Sequence, residues 1–284
     1  MPINSDTSLL ALFGNPLGHS LSPVMHNATL ERMKLNYLYL PFEIFPDKLE
    51  EAIKAIIALN IRGVNVTIPY KEKVIPYLDD LSEEAAACGA VNLISNDKGR
   101  LVGYNTDGKA FVAALLEEGV SISGQAVIIG AGGAARAVAY ELARQGIRQL
   151  DFLDIDYERA AGLAEFIAGS TGCRSSAGIM NEKEFAALSR LADIIVNCSP
   201  VGMHPFTEES PLNRIDSVGK NTVLCDLIYN PLETRFLRLG RERGLKTING
   251  LGMFVHQGAL SLQILLNVSP PFDYMKEVVL YQLR

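Results

Sequence analysis

The stretch Asn65-Val66-Thr67-Ile68-Pro69-Tyr70-Lys71 sets an amide, a hydroxyl and an amine along a short apolar run. In a strand, β-branched Val66 and Ile68 face a core together, so Asn65 and Thr67 share the opposite face. Pro69 has no N–H to donate and stops the ladder, which leaves Lys71 just past the strand end. Strand ends are where α/β enzymes keep their chemistry. Taken alone, Lys71 also reads as a solvated surface lysine. A second segment, Gly14-Asn15-Pro16-Leu17-Gly18-His19-Ser20-Leu21-Ser22-Pro23, spaces Ser20 and Ser22 to point the same way if extended. Two hydroxyls beside a helix N-terminus can cradle a carboxylate without a full positive charge. The plainer reading makes Ser20 a turn residue and Ser22 an N-cap.

A third segment, Gly130-Ala131-Gly132-Gly133-Ala134-Ala135, follows an apolar strand and opens a helix. Its glycines permit a tight turn and close backbone approach, and the helix N-terminus offers N–H donors to a pyrophosphate. Ala135 stands at the third glycine position, an accepted small-residue variant. Asp154 lies about 20 residues past this loop, where a carboxylate accepts hydrogen bonds from an adenosine ribose and repels a 2′-phosphate. No arginine follows it directly, and Arg159 falls a turn into the next helix. NAD is therefore expected over NADP. Asp156 suits the N-cap of that helix better than Asp154 does.

Strands and helices alternate throughout, the pattern of a parallel α/β protein. Strands are expected at Leu9–Phe13, Tyr37–Ile44 and Gly63–Ile68, with two more around the Asn96–Gly99 turn. Helices are expected over residues 22–35, 47–59 and 107–118. Turn-rich Gly119–Gly124 leads into a second series, with strands at 126–130, 149–154, 194–197 and 223–226. Helices near 253–266 and 273–283 could return to the first domain and make it discontinuous. The resulting expectation is an N-terminal α/β substrate domain with a mostly parallel sheet (residues 1–108 plus 251–284). A Rossmann-type dinucleotide-binding domain (109–250) follows, with the active site in the cleft between them.

The 284 residues, 48% apolar and 20% charged, suit a globular protein of two domains. The net charge of −6 argues against nucleic-acid binding and gives no sign of an anionic-membrane surface. Cys88, Cys173, Cys198 and Cys225 have no zinc-type spacing and read as reduced, mostly buried thiols, and the four histidines form no ligand pair, so no metal is expected. No basic leader precedes the first apolar segment and no run approaches the ~20 residues of a membrane span. A cytoplasmic protein, monomer or homodimer, is expected.

Together these segments resemble the shikimate dehydrogenase family, including its quinate/shikimate branch. The match runs along nearly the whole chain. Besides the three segments above it includes Gly89–Asn92, Gly103-Tyr104-Asn105-Thr106-Asp107-Gly108, Asn197–Met203, Asp226-Leu227-Ile228-Tyr229-Asn230-Pro231 and Gln257-Gly258-Ala259. The resemblance implies that Ser20 and Ser22 bind a substrate carboxylate, while Asn65, Thr67, Asn92, Asp107, Tyr229 and Gln257 line a polyol pocket. Lys71 would be the acid/base, paired with Asp107. Gly130, Ala131, Gly132, Gly133, Ala134, Asp154, Leu227 and Gly250 would hold the cofactor. The implied reaction is reversible oxidation of the C3 hydroxyl of shikimate, with quinate a second candidate substrate. Loss of a carbinol hydride requires a base within reach of the hydroxyl proton. Burial frees an amine for that role, whereas a neighbouring carboxylate favours the ammonium form and fixes its position.

One departure stands out. NADP-linked members of the family usually carry Asn-Arg-Thr where this chain has Asp154-Ile155-Asp156. The missing arginine reinforces the expectation of NAD and of the quinate/shikimate type, which is catabolic more often than biosynthetic. The alternatives are an NADP-linked biosynthetic enzyme, a dehydrogenase of an amino analogue, and a non-catalytic sensor of metabolite and cofactor.

Overall fold

A computed structural model describes residues 3–284. The chain runs β1 (Ser8–Gly14), α1 (Ser22–Arg32), β2 (Tyr37–Glu43), α2 (Leu49–Ala58), β3 (Gly63–Val66), β4 (Asp80–Leu81), α3 (Glu83–Cys88), β5 (Leu93–Asp97) and β6 (Arg100–Tyr104). It continues through α4 (Asp107–Glu117), β7 (Gly124–Ile129), α5 (Gly133–Arg144), β8 (Ile147–Asp154), α6 (Tyr157–Thr171) and β9 (Arg174–Ile179). Then come α7 (Glu182–Leu188), β10 (Ile194–Asn197), β11 (Val223–Asp226), α8 (Arg235–Glu242), β12 (Lys246–Ile248), α9 (Leu251–Leu266) and α10 (Phe272–Gln282). Two compact units result: the chain up to Thr106 with Val255–Arg284, and Asp107–Phe254. Among the described residues no helix is long and apolar enough to cross a membrane.

The first unit holds a six-stranded sheet of order β2-β1-β3-β5-β6-β4, in which β1 pairs in parallel with β2 and β3 and β5 runs antiparallel to β3. Alternation of side chains along each strand gives the sheet two faces. Ala11, Phe13, Val64 and Val66 bury one face with Ile53 and Ile56 of α2. The other face carries Gly63 and Asn65, and α9 lies along it. A Cβ on Gly63 would sit 2.2 Å from Leu265, and Asn65 bonds Ser261, one helical turn earlier. Glycine at position 63 is what lets the helix approach this strand.

Three expectations change here. The strand ends at Val66, and Ile68 is 63% exposed rather than a core residue. The chain turns there, with Asn15 N–H donating to Ile68 O and Thr67 N–H to Phe13 O. Asn65 is itself buried, because α9 covers its face of the sheet. Ser22 is the first residue of α1, not its cap. Leu21 caps the helix without a side-chain bond, and Ser20 Oγ accepts the Ser22 N–H at 3.3 Å.

The second unit is an all-parallel sheet of order β12-β11-β10-β7-β8-β9, the doubly wound arrangement. Its core joins Val127, Ile129 and Ile195 to Phe185, Phe236 and Leu237 from the helices. The order of connection reverses between β7 and β10, and ligands bind open α/β sheets beyond the strand ends at such a point.

Candidate active site

The expected site residues fall in two sets, one in each unit. In the first unit they gather at and beyond the ends of β1, β3 and β5. Ser22 is 7% exposed, Asn65 6% and Asn92 3%. Ser20, Thr67, Lys71 and Gln257 are half-buried. Asn92 is gripped at both ends of its amide by Thr106. Its Nδ2 donates to Thr106 Oγ1 at 2.9 Å, and its Oδ1 accepts the Thr106 N–H at 2.9 Å. The Lys71 carbonyl accepts the Val91 N–H at 2.7 Å, which ties the residue's backbone to the segment just before Asn92. Thr67 lies against Gly14, where an added Cβ would stand 2.4 Å from Thr67 Cγ2. A buried polar group is stable only when hydrogen-bonded, so these bonds dictate how each side chain presents itself.

In the second unit, Gly130–Gly133 connect β7 to α5. Gly130 adopts φ +96°, and a Cβ there would lie 3.2 Å from Ser199 N. Gly132 caps α5 with no side-chain bond, so the cap residue itself leaves the helix's N-terminal donors uncovered. Free helix N-terminal donors of this kind are able to take an anionic group such as a diphosphate. Across the switch point, Leu227 N–H donates to Asn197 O at 3.0 Å. A Cβ on Gly250 would stand 2.0 Å from Leu227 O, so these two predicted cofactor residues are in direct contact. The Tyr229 ring stacks on Phe254 at 4.2 Å. Asp107 opens α4 and is 4% exposed, and the next residue, Gly108, lets α4 press on α5 where a Cβ would lie 2.4 Å from Ala137 O.

Two features were not anticipated in the sequence. Asp226 is buried at the end of β11 and accepts from Asn197 Nδ2 (3.1 Å), Ile228 N–H (3.1 Å) and Thr234 Oγ1 (2.7 Å). Desolvation raises its pKa to about 7, while those three donors oppose the rise. The carboxylate thereby fixes both the Asn197 turn and the Leu227–Tyr229 loop. Arg159, expected a turn into the helix after Asp154, places Nη2 3.7 Å from where a Gly132 Cβ would be, beside the glycine loop.

The model described as shikimate dehydrogenase substrate binding domain matches residues 12–94, and the one described as shikimate 5'-dehydrogenase C-terminal domain matches residues 250–280. A curated relative from Syntrophomonas wolfei, named shikimate dehydrogenase (NADP(+)), is 60% identical over 284 residues, covering 100% of this chain and 98% of its own. One of the same name from Desulforamulus reducens is 43% identical over 279 residues, 98% of this chain and 96% of its own. Among solved structures, shikimate 5-dehydrogenase from Listeria monocytogenes, in complex with shikimate and NAD, superposes with a TM-score of 0.91 at 36% identity, covering 98% of each chain.

These names overturn the expected preference for NAD, since the curated relatives are called NADP(+) enzymes. The structure supplies the physical reason why Asp154 misled. Its carboxylate is 8% exposed and accepts two backbone donors, Ala131 N–H at 2.7 Å and Asp156 N–H at 3.0 Å. It braces the glycine loop from within rather than standing open to a ribose. With a relative named shikimate dehydrogenase 60% identical along 100% of this chain's length, the chain belongs to the shikimate dehydrogenase family of NAD(P)-dependent oxidoreductases.

Proposed function

We propose that the protein catalyses the reversible NADP-linked oxidation of the C3 hydroxyl of shikimate to the 3-dehydro acid. The carrying observation is 60% identity across all 284 residues with a relative so named. In this reading Ser20 and Ser22 bind the carboxylate, and Asn65, Thr67, Asn92, Tyr229 and Gln257 take the ring hydroxyls. Lys71 accepts the C3 hydroxyl proton during oxidation and returns it during reduction. Asp107 orients that amine and accepts a neighbouring substrate hydroxyl. The N–H groups of Gly132, Gly133 and Ala134 suit a diphosphate, Leu227 and Gly250 line the cofactor, and Arg159 suits a 2′-phosphate. Bound NADP supplies the hydride acceptor.

The test is the initial rate of NADPH formation by the purified protein with shikimate, compared with NAD and with quinate. A kcat/KM for NADP at least about tenfold above that for NAD is expected. Absence of turnover with either cofactor would refute the reading. So would Lys71→Ala activity equal to that of the parent.

A further inference from the structure

Asn65 is held at both ends of its amide by side chains to which the reaction assigns no role. Tyr39 Oη donates to Asn65 Oδ1 at 3.0 Å, and Asn65 Nδ2 donates to Ser261 Oγ at 2.9 Å. Ser261 in turn donates its own proton to Gln257 O, one turn earlier on α9, at 2.8 Å. Because Ser261 has given its proton away, it can only accept from Asn65. The nitrogen of the amide must therefore face α9 and the oxygen must face Tyr39. The second amide proton makes only a long bond of 3.4 Å to Asn92 O. That proton is the one Asn65 can surrender to a better acceptor.

Tyr39 is itself built in. It is 1% exposed, on the strand beside β1, in register with Leu10. Asn27 of α1 clamps its backbone, with Nδ2 donating to Tyr39 O and Oδ1 accepting Tyr39 N–H, both at 2.9 Å. Its ring stacks on His26 of the same helix, 4.3 Å between centroids.

We infer that Tyr39 is a positioning residue for the substrate pocket, with Ser261 its counterpart: together they fix the Asn65 amide so that one N–H is presented to a substrate hydroxyl. This rests on the reading above, in which Asn65 contacts the substrate. Without the phenolic proton only Ser261 holds the amide, which turns over more readily and then presents its oxygen instead. The hydroxyl partner is an acceptor in one orientation and a donor in the other, so binding suffers before chemistry does.

The experiment is a double-mutant cycle on kcat and KM for shikimate, using Tyr39→Phe, Asn65→Ala and both together, with Ser261→Ala in place of Tyr39→Phe as a parallel arm. Tyr39→Phe is expected to raise KM about five- to tenfold, the worth of one neutral hydrogen bond, with kcat changed less than about threefold. In the Asn65→Ala background the same substitution should change KM less than about twofold, because the group it orients has gone. Equal effects in both backgrounds, or none in the parent, would overturn the inference while leaving Asn65 as a substrate contact. An Asn65→Ala protein with unchanged KM and kcat would overturn the underlying substrate reading as well. If Tyr39→Phe does not fold, the Ser261→Ala arm decides by the same criteria. A merely structural role would lower the melting temperature without this dependence on Asn65.

Discussion

Replacing Arg159 with alanine tests the cofactor assignment where the sequence argued against it. The guanidinium is exposed and stands beside the glycine loop, 3.7 Å from the position a Gly132 Cβ would take. Hydrogen bonds to charged groups contribute about 1.5–3 kcal/mol, but solvent screening of an exposed pair reduces that contribution. About 1–2 kcal/mol remains, equivalent to a rise of about five- to thirtyfold in KM for NADP. NAD has no 2′-phosphate for Arg159 to meet, so its KM should move less than about twofold. Steady-state rates with each cofactor at saturating shikimate measure both numbers, and added salt should narrow the wild-type preference for NADP. Equal losses with the two cofactors would show that Arg159 only supports the loop. No loss with either would remove it from the cofactor site.

Two further outcomes follow from groups whose surroundings are fixed. His26 is buried, its ring nitrogens have no partner among the described residues, and desolvation lowers its pKa from 6.5 to about 3. The folded imidazole stays neutral while the unfolded one protonates, so stability present above pH 6.5 is lost as the pH falls from 6.5 towards 3. His26→Phe keeps an aromatic ring against Tyr39 and should flatten the fall in melting temperature between about pH 6.5 and 4. Parallel curves for parent and variant would refute the argument. Gly250→Ala must displace the Leu227–Ile228 backbone, since the new carbon would lie 2.0 Å from Leu227 O. A loss of about 1–3 kcal/mol in urea unfolding is expected, and an unchanged midpoint would show that the loop yields without cost.

How much could be read from the sequence depended on whether the cause was local. The strands expected at Leu9–Phe13 and Ala126–Gly130 and the glycine loop were legible because apolar runs and turn chemistry act within a few residues. Ile68 was misread because alternation assumes that the ladder continues, whereas the chain turns after Val66 to bond with β1 and the segment that follows it. Asp154 was placed correctly at the strand end, but counting residues from a glycine loop does not reveal which donors a carboxylate has already accepted. Asn65 was singled out, yet its holders were invisible: Tyr39 and Ser261 lie 26 and 196 positions away along the chain. Ser261 did leave one trace, since it follows Gln257 at the spacing that puts two residues on one helical face. Asp226 sat inside a quoted motif, but only the fold brings Asn197 and Thr234 to its oxygens.

The clamp of Asn27 on Tyr39 has a consequence outside catalysis. β2 is the edge of its sheet, and an edge strand exposes backbone donors and acceptors on which another chain can add a strand. At Tyr39 the N–H and C=O are already taken by the Asn27 side chain, and two residues on Pro41 has no N–H to offer. A helix side chain thus occupies the place an invading strand would use. The residue that steadies Tyr39 also guards the free edge of the sheet against aggregation.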